Sequence, residues 1–146
     1  IIMNEDIPKR WVGGICIKDE SVLLIYRINK EKDFNQEYFV FPGGQVEGDE
    51  SIEDTLMREF KESSITARIG ELFYSTEEDI NDEADYYYLC DYVVGEPSVS
   101  QQSKERELME SGNQVYTPMW VPLRELDELI VYPETVKNKV IEELLG

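Results

Sequence analysis

Histidine is absent from the 146 residues of this chain. Its absence removes Ser-His-Asp and Cys-His nucleophile systems and most zinc sites, because each needs an imidazole as base or ligand. Cysteine is nearly as scarce. Cys16 and Cys90 stand far apart, each inside an apolar, strand-like run, and read as buried reduced thiols. Basic residues are few, 14 against 32 acidic ones, for a net charge of −18. Nucleic acids and anionic membranes are gripped through Lys and Arg, so neither is an expected partner. No apolar run approaches the roughly 20 residues that span a bilayer, and no signal peptide is visible, so a cytoplasmic protein is expected. Neither a P-loop lysine motif nor a dinucleotide fingerprint occurs. Carboxylate and metal chemistry remains.

What the chain has in excess is acid, and one stretch puts it to a recognisable use. Pro42 to Ile65, PGGQVEGDESIEDTLMREFKESSI, joins a glycine pair, a carboxylate-rich loop and a helical segment. Carboxylates gathered this densely repel one another, and a fold that draws them together does so to hold a divalent cation, with Mg²⁺ preferring such oxygen ligands. The same cation answers a second difficulty: it reverses locally the field with which so acidic a protein would repel a polyphosphate.

Local rules supply the geometry. Ser51 suits a helix N-cap and Asp54, three residues on, completes a capping-box-like pair, so a helix is expected from Ile52 to about Ser63. Ile52, Leu56 and Phe60 recur every four residues as one apolar stripe, with Thr55, Glu59 and Ser63 beside it. Glu62 and Ser63 are then surface neighbours of Glu59. Arg58 can take Glu50 in its planar fork and tie the loop to the helix, which makes Glu50 a brace. Gly43 and Gly44 let a backbone carbonyl or amide approach a ligand closely. Singly, each feature has a plainer reading: a capped acidic helix with Arg58 and Glu62 four apart is usually a solvated face, and a glycine pair is usually a turn.

Taken together, the spacing resembles the Nudix hydrolase signature, G-x5-E-x7-R-E-U-x-E-E-x-G-U, where U is bulky and apolar. Gly44, Glu50, Arg58, Glu59, Phe60 and Glu62 match it. Ser63 stands where a second glutamate is expected, Ile65 where glycine is, and Thr66 where an apolar residue is. The resemblance implies an α/β fold, an α/β/α sandwich with a mixed β-sheet, in a single domain over residues 1–146. It implies a Mg²⁺- or Mn²⁺-dependent pyrophosphohydrolase that cleaves a nucleoside diphosphate linked to another moiety. It implies Gly43, through its carbonyl, with Glu59 and Glu62 as metal ligands, and Glu59, Glu62 and Arg58 as the catalytic group. Arg27, Tyr38, Gly44 and Glu105 are the candidate substrate contacts, and a homodimer is a common assembly in the family. Because Ser63 replaces a usual ligand, the alternative is a weakly active or non-catalytic nucleotide-binding sensor module.

Elsewhere, strands are expected at Val12–Ile17 and Val22–Arg27, joined by a hairpin turn at Lys18-Asp19-Glu20-Ser21, and at Tyr38–Phe41. Further strands are expected at Ala67–Ile69, Leu72–Ser75, Tyr86–Val94 and Val115–Val121. A C-terminal helix from about Glu134 follows Pro133 and carries Val136, Val140, Ile141, Leu144 and Leu145 on one face. The polar stretch Ser98–Asn113 is long enough for a binding loop, with Glu105, Glu107 and Glu110 as acidic candidates. Glu77–Asp85 mimics the start of an EF-hand loop, but Ala84 and Cys90 occupy its glycine and bidentate-glutamate positions, so it reads as a solvated turn. Tyr86, Tyr87, Tyr88 and Trp120 read as packing residues. Tyr38 and Phe39, beside the glycine turn, are better placed to meet a nucleobase.

Overall fold

A computed structural model describes residues 10–29, 36–76, 84–99 and 115–145. Strands β1 (Arg10–Lys18) and β2 (Ser21–Asn29) form the expected hairpin. Asp19 and Glu20 both take left-handed backbone angles, φ 48° and 65°, as a two-residue turn matched to the twist of its strands requires. The two strands pair only beside that turn, at Ile17 with Val22 and Lys18 with Ser21. Beyond it they part. β1 is taken up by β4 (Gly43–Gln45), antiparallel, and by β6 (Ala84–Val94), parallel. β2 is taken up by β3 (Gln36–Val40) and β7 (Tyr116–Pro122), both antiparallel.

The main path of the sheet runs β5-β6-β1-β2-β3-β8, with β5 (Thr66–Ser75) at one edge and the two-residue β8 (Val131–Tyr132) parallel to β3. Between β3 and β4 the chain bends at Phe41-Pro42 and crosses from the β2 half to the β1 half, where the Gly14 amide donates to the Pro42 carbonyl at 2.9 Å. The glycine pair is thus delivered into the opening of the splayed hairpin.

Alternation along β1 separates two cores. Val12 and Cys16 pack with Leu56 and Phe60 of helix α1 (Ile52–Glu62), whereas Ile15 packs with Val136 and Val140 of helix α2 (Glu134–Val140) and with Leu123 and Leu126 of the 3₁₀ turn Leu123–Glu128. Helices therefore cover both faces of a mixed sheet, the architecture expected. Gly13 and Gly14 are small for the same reason on opposite faces: a Cβ on the first would overlap the Tyr87 ring, and on the second the Phe60 ring.

Several details differ from the sequence reading. The segments Ala67–Ile69 and Leu72–Ser75 are one strand, β5, carried across Gly70-Glu71 by register shifts between Ile69 and Leu72 and between Leu72 and Tyr74. Such bulges insert residues without ending a strand. Strands β4 and β8 and the 3₁₀ turn were not expected at all. The C-terminal helix changes to a π-helical turn at Ile141–Leu145. Widening the turn rotates the face, so Val136, Val140 and Ile141 reach the core while Leu144 and Leu145 point to solvent, 37% and 47% exposed. Cys16 and Cys90, distant in sequence, are direct register partners on β1 and β6, both buried with free thiols. Tyr86, Tyr87, Tyr88 and Trp120 all pack into the cores, as expected. Most of the acidic stretch Glu77–Asp85 lies outside the described residues, as do Glu105, Glu107 and Glu110. Among the described residues no helix is long and apolar enough to cross a membrane.

Candidate active site

Helix α1 begins as its sequence dictates. The Ser51 hydroxyl accepts from the Asp54 amide at 3.0 Å and the Asp54 carboxylate accepts from the Ser51 amide at 3.3 Å, a complete capping box. Its apolar stripe then seats the helix on β1, and Arg58 is left at the edge facing the preceding loop. There Arg58 Nε and Nη2 donate to the two Glu50 oxygens at 2.9 and 3.1 Å, Nη2 also reaches the Gln45 carbonyl at 3.1 Å, and Nη1 donates to Glu59 Oε1 at 2.9 Å. One guanidinium thus joins the loop, strand β4 and the neighbouring carboxylate. The fork on Glu50 is the bidentate pair anticipated from the spacing.

Charge in this cluster is strongly held. Glu50 is driven down to about 2, first by the Arg58 fork, then by the Glu47 amide and the Thr55 hydroxyl. Arg58 is pushed above its ordinary value, first by its bond to Glu50 and further by the charges of Glu59 and Glu47. The brace is therefore ionised throughout the neutral range.

Glu59 projects toward the glycine pair. A Cβ on Gly44 would overlap the Glu59 carboxylate, and one on Gly43 would lie 2.5 Å from the Val12 carbonyl and 3.1 Å from Trp11 Nε1. Neither glycine has a positive φ. What these positions need is the missing side chain, not an unusual backbone angle. The result is a cradle in which Glu59, with its side chain 12% exposed, comes against the strand backbone.

Beside the cradle is a cavity of 330 Å³ in the splay between the two halves of the sheet. Trp11 of β1, Ile25 and Arg27 of β2, Tyr38 and Val40 of β3, the bend Phe41-Pro42, Gly43 and Gly44, Glu59 and Tyr116 line it. Five residues singled out in the sequence, Arg27, Tyr38, Gly43, Gly44 and Glu59, therefore meet around one hollow. Arg58 and Glu62 do not line it: Arg58 stands behind as the brace, and Glu62 sits half-buried on the last turn of α1. Phe39 is turned away, packed 5.4 Å from the Tyr26 ring, because alternation along β3 sends Tyr38 and Val40 to the cavity and Phe39 to the opposite face. A larger hollow of 490 Å³ lies along the outer side of α1, walled by Met57, Phe60, Lys61 and Ile65. Its lining holds no carboxylate, so size does not mark the reacting end.

Trp11 and Tyr116 are lining aromatics that the sequence did not single out. The signal of each was only an aromatic at the start of a strand, which is also what an ordinary core or edge residue offers.

Ser63 closes the helix. As C-cap it is 0% exposed, and among the described residues its hydroxyl has no hydrogen-bond partner. Ser64 follows at φ 63°, its amide donating to the Lys61 carbonyl at 2.9 Å, and the Ile65 amide donates to Phe60 at 3.0 Å. This is the Schellman arrangement, in which Ile65 supplies the apolar contact back to Phe60. Ser98 and Val99 then lead from the helix end to the cavity, the Ser98 amide donating to the Ser63 carbonyl at 3.1 Å and Val99 packing with Ile25 and Tyr116.

Glu59 is the carboxylate in the cavity lining, beside backbone carbonyls and with no histidine or thiol, an oxygen chemistry that suits a hard divalent cation, and the Gly44 cradle leaves room for it beside the backbone. Among the described residues, no group of three or more acidic, histidine or cysteine side chains stands close enough to hold an ion alone. Protein ligation there would rest on Glu59 and backbone oxygen, with the remaining positions open to water or substrate.

Comparison with known proteins agrees with this reading of the fold. The sequence matches the NUDIX domain over residues 8–143. An ADP-ribose pyrophosphatase of Methanocaldococcus jannaschii is 31% identical over 112 residues, which are 73% of this chain and 64% of that protein. This chain therefore spans under two thirds of the relative's length. Among solved structures, an ADP-ribose pyrophosphatase from Streptococcus suis superposes with a TM-score of 0.64 at 16% identity, covering 95% of this chain and 93% of the other. A NUDIX hydrolase from Nitrosomonas europaea gives 0.67 at 16% identity, covering 95% and 90%. With a family match across nearly its whole length and a fold like that of these solved structures, this chain belongs to the Nudix hydrolase family.

Proposed function

We propose that the protein is a divalent-metal-dependent pyrophosphohydrolase acting on a nucleoside diphosphate linked to a further group, with ADP-ribose as the leading substrate. The observation that carries this reading is the seating of Glu59 against Gly44 at the mouth of the cavity, locked there by the Arg58 brace. The two relatives described as ADP-ribose pyrophosphatases support the substrate class. In this reading Glu59 and Glu62, with the Gly43 carbonyl, hold Mg²⁺ or Mn²⁺. Bound metal would neutralise the diphosphate and lower the pKa of a coordinated water. Arg58 and Glu50 keep Glu59 in position, and Arg27, 5.7 Å from the Tyr116 ring, offers a cation to the phosphates from the opposite wall. Water adds to one phosphorus and the anhydride P–O bond breaks, so ADP-ribose yields AMP and ribose 5-phosphate.

The test is a panel of nucleoside diphosphate derivatives with Mg²⁺ or Mn²⁺, followed by release of nucleotide. Turnover of ADP-ribose that falls by about three orders of magnitude in Glu59→Gln, a loss of the size seen when a key electrostatic group is removed, supports the assignment. Wild-type turnover in that variant removes Glu59 from the mechanism.

A second reading rests on Ser63, whose neutral, buried hydroxyl occupies the helix position one turn beyond Glu59. With one carboxylate fewer, the domain would bind nucleotides and hydrolyse them poorly. A large gain in hydrolysis in Ser63→Glu favours this sensor reading.

A further inference from the structure

Four aromatic side chains line the cavity, and they are not equivalent. Phe41 is buried, its ring edge-on to Tyr87 at 6.1 Å. Tyr38 is engaged edge-on with the Tyr132 ring at 5.7 Å. Tyr116 is 7% exposed and carries Arg27 over its ring at 5.7 Å. Trp11 is 38% exposed, and among the described residues no other ring or cation stacks on it. Its indole is nonetheless hemmed in on one side, where a Cβ on Gly43 would stand 3.1 Å from Nε1. A large, pre-oriented, open π-face on a cavity is the cheapest platform for a planar ligand, because little side-chain freedom remains to be lost on binding.

We infer that Trp11 is the residue on which the heteroaromatic ring of the substrate stacks. The inference rests on the proposed nucleoside diphosphate substrate and adds which wall recognises the base. Gly43 then serves both ends of the ligand, since its missing side chain admits the indole on one side and exposes the backbone near Glu59 on the other. Tyr38 forms the cavity edge without taking the base.

The experiment combines kinetics with fluorescence. The chain has two tryptophans, and Trp120 is packed against Tyr92 at 5.5 Å, so Trp120→Phe leaves Trp11 as the sole reporter. Titration with ADP-ribose and with ADP should quench its emission, whereas inorganic pyrophosphate, which lacks a ring, should not. Trp11→Ala should raise KM for ADP-ribose by about 10- to 100-fold with kcat within a few-fold, the range that stacking on an aromatic supplies. Trp11→Phe should restore most of the loss. An unchanged KM in Trp11→Ala, with wild-type turnover intact, overturns the role of Trp11 while the hydrolase reading stands. Failure of the wild-type protein to bind or turn over any of the nucleoside diphosphates overturns both.

Discussion

Gly44→Ala separates geometry from folding more cleanly than removal of any charged residue. Gly44 has an ordinary backbone angle, so alanine is conformationally allowed there, and restricting the unfolded chain favours the variant by about 0.4–1 kcal/mol. Against this stands the overlap of the new methyl with the Glu59 carboxylate. Overpacking of this kind costs about 1–3 kcal/mol, less where the obstructing atoms end a side chain that can swing away. The net loss is on the order of 1–2 kcal/mol, a fall in melting temperature of about 3–6 °C for a chain of this size. Glu59 yields by turning out of the cradle, and a displacement of about 1 Å at a reacting group costs about 100-fold in rate. Thermal melts and steady-state hydrolysis of ADP-ribose on the same preparations should therefore show a small stability loss beside a large drop in kcat. Gly48→Ala is the control, because Gly48 sits at φ 53° with nothing within 4 Å: it should lose about 1 kcal/mol from backbone strain and keep its activity. In a Glu59→Ala background the Gly44→Ala penalty should vanish, since the methyl then has no carboxylate to meet. Wild-type kcat in Gly44→Ala refutes the cradle.

Other consequences follow from single interactions. Glu50 ionises near 2 in the fold and near roughly 4.3 when unfolded, so its brace contributes fully above the unfolded value and is lost as pH falls from about 4.3 through about 2. The melting-temperature advantage of wild type over Glu50→Gln should be flat from pH 8 to 5 and vanish across that acid window; an advantage that survives at pH 2 contradicts the assignment. Glu20→Gly should raise stability by about 1 kcal/mol, because it relieves a left-handed angle of 65° in the β1–β2 turn; denaturant midpoints check it, and a loss of stability rules out strain there. Burial drives both Cys16 and Cys90 up to about 12, so neither should react with a thiol reagent at pH 8 until the chain unfolds.

The parts of this structure that could be read from the sequence are those in which one local rule acts alone. Ser51 with Asp54 fixes the helix start, the four-residue recurrence of Leu56 and Phe60 fixes its buried face, and the seven residues between Glu50 and Arg58 bring a fork within reach of a carboxylate. The unread parts depend on partners distant in the chain. Strand β4 is three residues long and β8 two, and each exists only because a longer strand offers it an edge. Two short strand signals around Gly70-Glu71 give no hint that β6 holds them as one bulged strand. Nor does Trp11 announce itself, since its exposure to the cavity is created by the parting of β1 from β2 and by the absent side chain of Gly43, which no periodicity encodes. Ser64 shows the reverse case: a left-handed C′ position filled by serine, where glycine would have marked the helix end in advance.

Crystals soaked in Mn²⁺ and measured at the manganese absorption edge will show whether Glu59 beside the glycine pair grips a divalent cation. An anomalous peak is expected within bonding distance of a Glu59 oxygen at the mouth of the Trp11-lined cavity, absent from Glu59→Gln crystals soaked alike. A peak elsewhere on the acidic surface, or one at the cradle that persists in Glu59→Gln, would contradict that grip.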